Sequence, residues 1–153
     1  MNRRVEQPVA AQVLTNAELV AARRELGVSG PWLARYLDAS DRTVRRWESG
    51  QTPLPQDVCE VVLELLAEAR ERVEQTAAAV IADPSVTYLK VPRDDGQLVE
   101  LGPDVPQWGY PASWYQQVFT RAAEQVRHAT GRQIRLIFFD EARPEQAGDT
   151  VVF

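Results

Sequence analysis

Apolar residues first fall into a helical rhythm at Leu19, Ala22 and Leu26. Spacings of three and four set them on one face of a helix predicted over about 16–26. Thr15 and Glu18 form a capping box at its start, and Gly27 stops it. Leu33, Ala34 and Leu37 mark the buried face of a second helix, about 30–37, with Ser29 as N-cap and Pro31 in the first turn. Ser40 caps a third helix running to about Ser49 and closed by Gly50, with Asp41 near its positive end. Past Pro53 and Pro55, the residues Val58, Val62, Leu65, Ala69, Val73, Thr76 and Val80 recur every three or four positions. They predict a long helix over about 56–82, roughly 40 Å at 1.5 Å per residue. Beyond Asp83-Pro84 the period changes. Val86 to Val91 reads as a strand, Asp95-Gly96 as a turn, and Gln97 to Leu101 as the return strand of a hairpin. A Pro/Gly-rich loop over 102–111 precedes a helix of about 114–129, capped by Ser113 and closed by Gly131. Ile134 to Phe139 is a strongly apolar strand.

The expected fold is mainly α with a small α+β C-terminal part. Residues 1–14 form an arm and 15–82 a helix-turn-helix unit with a long fourth helix. Residues 83–140 form a small α+β unit with one helix, and 141–153 a tail, in which Val151-Val152-Phe153 could pack.

Composition narrows the chemistry. The lone Cys59 has no internal disulfide partner, and one cysteine with one histidine, His128, does not suggest a zinc site within one chain. Cys59 reads as a small buried hydrophobe and His128 as a surface residue. There is no Gly-rich phosphate loop, and carboxylate pairs such as Glu68 and Glu71 lie on a helix thick with charge. Enzymatic activity, a cofactor and a metal are therefore not expected. No apolar run of about 18 residues or more is present, so no membrane partner is expected. The start of the chain does not read as a secretory signal, and the expected compartment is the cytoplasm. The net charge of −5 is unevenly spread: residues 1–53 carry eight Arg against six acids, and the acid excess falls in 54–153.

The third helix supplies the candidate chemistry. Val44 and Trp47 share an inward face, while Arg42, Arg45, Arg46 and Ser49 follow the i, i+3, i+4, i+7 rule on the opposite one. A helix fits the major groove of B-DNA, and Arg can bond two acceptors of guanine at once. An Arg-lined outer face anchored by an aromatic inner face suits a recognition helix. A solvated charged surface is the plainer reading of that helix alone.

The stretch Leu33-Ala34, Leu37, Ser40, Thr43-Val44, Trp47-Glu48-Ser49-Gly50 and Pro53 or Pro55 resembles the phage-repressor-like (Cro-like, XRE) helix-turn-helix family over roughly residues 15–58. The resemblance implies double-stranded DNA binding. Arg42, Arg45 and Arg46 would read bases or clamp phosphates, Thr43 and Ser40 would lie near the backbone, and Asp41, Ser49 and Gly30 would flank the contact. It also implies that the small Ala34 lets the two helices cross closely and that Trp47-Glu48 closes the recognition helix onto the fourth helix. Two positions depart from the pattern. Gly30 stands where Gln often contacts a phosphate, leaving a backbone N–H or Arg23 or Arg24 for that task. Asp38 stands where the turn usually has Gly.

Pro55, the long helix and a small domain with a Trp-containing amphipathic helix resemble phage and bacterial autoregulators, the anti-CRISPR-associated repressors among them. This implies a homodimer joined through residues 84–140, with Trp108, Tyr110, Trp114, Tyr115, Phe119, Phe138 and Phe139 as interface candidates. Taken singly, each reads more simply as core of the second domain. A homodimer would act as a repressor on a palindromic operator. The alternative is an antitoxin-like module whose C-terminal part grips a protein partner. RNA as the nucleic acid stays open, and Arg3-Arg4 could reach a minor groove.

Overall fold

The computed structural model of the protein describes residues 13–141. The arm with Arg3-Arg4 and the tail beyond Glu141 therefore lie outside the described residues, apart from Val13 and Leu14, of which Leu14 is buried. The architecture is mainly helical with one small sheet. In chain order it comprises α1 (Asn16–Leu26), α2 (Gly30–Tyr36), α3 (Asp41–Glu48), α4 (Gln56–Ala82), β1 (Tyr88–Val91), α5 (Asp95–Leu101), a 3-10 turn (Gly102–Asp104), α6 (Ala112–Thr130) and β2 (Arg135–Phe138). Two compact units divide it. Among the described residues, one holds 13–25 and Ser29–Ala67; the other holds Leu26–Val28 and 68–141. The division falls inside α4.

The first unit forms as its capping chemistry dictates. The Thr15 hydroxyl accepts from the Glu18 N–H, and the Glu18 carboxylate accepts from the Thr15 N–H, both at 3.1 Å. Ser29 accepts from the Trp32 N–H and Ser40 from the Thr43 N–H, again at 3.1 Å. Each starts its helix by satisfying a donor that has no partner inside it. Leu19, Leu33, Ala34, Val44, Trp47, Val58, Cys59, Val62 and Leu65 are buried and make the core.

The second unit corrects the predicted hairpin. Residues 97–101 are not a return strand, because Asp94 acts as an N-cap, accepting from the Gln97 N–H at 2.8 Å. The Gln97 side chain in turn accepts from the Arg93 N–H at 2.7 Å. These bonds start α5 where the Asp95-Gly96 dipeptide alone suggests a turn. β1 instead pairs in parallel with β2, in the register Tyr88↔Arg135 to Val91↔Phe138. Parallel pairing requires a crossover rather than a hairpin, and α5 and α6 form it. Ser113 is not a cap either. The N-cap position of α6 is Pro111, and the Ala112 N–H goes to the Asp95 carboxylate at 2.7 Å. The far end behaves as expected, with Gly131 at φ 76 in the left-handed conformation.

Arg132 binds three segments of this unit together. Its guanidinium donates to the carbonyls of Val80, Asp83 and Val86 at 2.9, 3.1 and 2.7 Å. It thus closes the C-terminal end of α4, where carbonyls lack helical partners. An aromatic cluster fills the space beside α6. Tyr110 stacks on Trp114 at 4.4 Å and Trp108 on Tyr115 at 5.3 Å, and Trp114 meets both Trp108 and Tyr115 edge-on.

Candidate nucleic-acid interface

The turn between α2 and α3 sets the direction of the exposed, arginine-bearing face of α3. Asp38 sits at φ 52, the left-handed conformation that its place in the turn demands. The Ala39 N–H bonds the Ala34 carbonyl at 2.9 Å and the Asp38 N–H bonds the Arg35 carbonyl at 3.2 Å, the pair of bonds that defines a Schellman ending. The same ending closes α3. Gly50 lies at φ 78, and Gln51 and Gly50 donate to the carbonyls of Arg46 and Trp47 at 3.0 and 3.1 Å. Both ends of the short α3 segment are therefore fixed by hydrogen bonds as well as by packing.

From the inner face, Val44 and Trp47 enter the core, at 1% and 7% exposure. From the outer face, Arg42, Arg45, Arg46 and Ser49 stand exposed and, with Gln51, line one open recess of about 470 Å³. Arg42 and Arg46 have no side-chain hydrogen bond or ion pair among the described residues. The Arg45 Nε reaches its own helix's Asp41 carbonyl at 3.4 Å, near the outer limit for such a bond. Asp41 is exposed at the start of the helix. The hydroxyls of Ser40 and Thr43 lie 2.9 Å apart, and Ser40 also serves as the cap. Both are engaged in holding the helix start. The Ser49 hydroxyl donates to the Arg46 carbonyl at 3.1 Å. Gly30 opens α2 with free space where a side chain would stand, so its backbone is accessible.

Two anchors escape the pattern reading. The Arg23 guanidinium forms a two-point ion pair with the Glu48 carboxylate, Nε to Oε1 and Nη2 to Oε2, tying α1 to the end of α3. Glu48 is thus held by α1, which corrects the expectation that it closes onto the fourth helix. Arg24, the other cation of the Arg23-Arg24 pair, is exposed. The Asn16 amide donates to the Trp47 carbonyl at 2.6 Å and to the Thr52 carbonyl at 2.8 Å. No local spacing announces either contact, because the partners lie 25 to 36 residues apart. Gln51 joins the arginines at the rim of the recess. Its signal is its place directly after the Gly50 stop.

The interface candidates of the second unit divide by burial. Trp114, Tyr115 and Phe119 are each 1% exposed within a single chain and Tyr110 is buried, so these four are core and offer no surface to a second copy. Tyr115 accepts from the Trp108 N–H at 3.2 Å and donates to the Pro106 carbonyl. Burial pushes its phenol upward from the ordinary value, and the bond from Trp108 opposes that in part. Tyr110 donates to Glu68. Trp108, Phe138 and Phe139 are half-buried. Cations cover them: Arg72 over Trp108 at 4.4 Å, Arg93 over Phe138 at 4.5 Å and Lys90 over Phe139 at 5.8 Å.

Among the described residues no group of three or more His, Cys, Asp or Glu is placed to hold a metal ion. No described helix is long and apolar enough to cross a membrane. No protein-family model matches the chain, and no curated protein is significantly similar to it.

Proposed function

We propose that the protein is a cytoplasmic, sequence-specific binder of double-stranded DNA, acting as a homodimeric transcriptional repressor or autoregulator on a palindromic operator. The observation that carries this reading is the two-sided character of α3. Three arginines with no strong internal partner share one open recess, while the opposite face is locked into the core. Long flexible cations left unpaired on a rigidly held helix suit contact with phosphates and base edges. Dimerisation is proposed because one such module reads only a few base pairs, and a two-fold pair reads a palindrome. We read the chain as a binding protein rather than an enzyme. The recess is lined by cations, a hydroxyl and an amide, with no general base among its residues.

An antitoxin-like interaction module is the competing reading. The second unit's own buried core weighs against it, because a segment that folds on a partner would not bury this much apolar surface alone.

The test replaces single arginines. Arg42→Ala and Arg45→Ala should each weaken binding to a selected operator by about 5- to 100-fold, the range expected for one good base contact of about 1–3 kcal/mol. Thermal stability should stay unchanged, because both side chains are exposed. Unchanged binding in both variants would remove α3 as the recognition helix.

A further inference from the structure

We infer that the half-site read by α3 is built on two or three adjacent G·C base pairs. This rests on the DNA-binding reading above and adds the base chemistry to it. In a helix-turn-helix, the N-terminal residues of the second helix meet the base edges. The exposed side chains in the first two turns of α3 are Asp41, Arg42, Arg45 and Arg46. A guanidinium forks onto O6 and N7 of guanine, and a carboxylate accepts from the amino group of cytosine. The guanidinium selects G·C pairs, and the carboxylate selects a base amino group, with cytosine its usual partner. Adenine calls for Asn or Gln, and α3 contains neither. A thymine methyl calls for an apolar contact, but the apolar side chains of α3, Val44 and Trp47, are buried. Thr43 is half-buried, with its hydroxyl tied to Ser40. Gln51 lies past the helix end, at the rim of the recess.

Geometry sets the length of the core. Arg42 and Arg46 are four residues apart, which is about 6 Å of helix rise. That matches roughly two base steps of about 3.4 Å. Asp41 gains nothing from a phosphate, since both are anionic, and a base amino group is the match its charge allows.

The experiment uses the full-length protein and duplexes selected from a random pool. The wild type is expected to select half-sites with two or three consecutive G·C pairs. Replacing those guanines by 7-deazaguanine, which lacks the N7 acceptor, should weaken binding about tenfold or more. Arg42→Gln, which supplies the amide that forks on adenine, should change the preferred base at one position from guanine to adenine. A selected motif of A·T pairs overturns the inference and leaves DNA binding standing. So does unchanged affinity for the 7-deazaguanine duplex, which would place the arginines on phosphates. Arg42→Gln, Arg45→Gln and Arg46→Gln selecting the wild-type motif at every position would do the same. Failure of the wild type to enrich any sequence overturns the DNA-binding reading itself.

Discussion

Among the described residues, Asp38 alone of the non-glycine residues has a positive φ. At φ 52 it occupies a region that costs an ordinary L-residue roughly 1–2 kcal/mol, though Asp less than most. Asp38→Gly should therefore leave stability unchanged or raise it by up to about 1 kcal/mol, part of the gain being offset by glycine's freedom in the unfolded chain. Asp38→Val should lower stability by more than about 1 kcal/mol, since β-branching is least tolerated there. Urea unfolding measures both. Tyr115 sets a pH limit. Its phenol titrates above the ordinary value of 10.0 in the fold because burial disfavours the charged form. The stability this contributes is present below that value and is lost as pH rises through the folded one. Tyr115→Phe should flatten the alkaline limb of a stability–pH profile, while losing the hydrogen bond to Pro106 for about 1 kcal/mol. The positions of Asp38 and of the exposed arginines were legible in the sequence because turn chemistry and helical spacing are local. The fates of Trp114, Tyr115 and Phe119 were not, because an aromatic residue on an amphipathic helix carries the same signal whether its own chain or a second copy covers it.

The first four helices follow the bounds their apolar stripes and caps predict to within a residue, whereas α6 starts two residues early, at Ala112. α1 and α4 run over the residues their apolar stripes mark, and α3 stops one residue short of Ser49. α5 was misread because a seven-residue segment with one buried apolar position, Leu98, has no period to show. Asp-Gly then outweighs a cap one residue earlier. Asp94→Ala should cost about 1 kcal/mol by removing that cap. Arg132 illustrates the other gap, since its three carbonyl acceptors are gathered only by the tertiary fold. Arg132→Ala should lower stability by roughly 1–3 kcal/mol, through three lost charge-assisted bonds, although the Val80 and Asp83 carbonyls keep the backbone N–H groups of Asp83 and Val86. Arg132→Lys should recover only part of it, because an ammonium lacks the planar fork. Thermal unfolding of the full-length variants checks all three.

At the scale of the whole molecule, the charge distribution matters more than its sum. The chain is acidic at −5, yet the recess on α3 presents three arginines. Cations brought close to the duplex release its counterions whether they meet bases or phosphates, so local cation density rather than net charge sets the salt dependence. Binding should therefore weaken steeply with salt in spite of the acidic whole, each neutralised phosphate adding about 0.9 to the log–log slope. We propose that a homodimer of this protein reads duplex DNA through α3. The most direct measurement is selection of bound duplexes from a random pool by the full-length protein, followed by affinity against salt on the winner. A palindromic winner with half-sites about one helical turn apart and a steep salt dependence is the predicted result. No enrichment over random duplex would contradict the account and turn attention to a protein partner for the second unit.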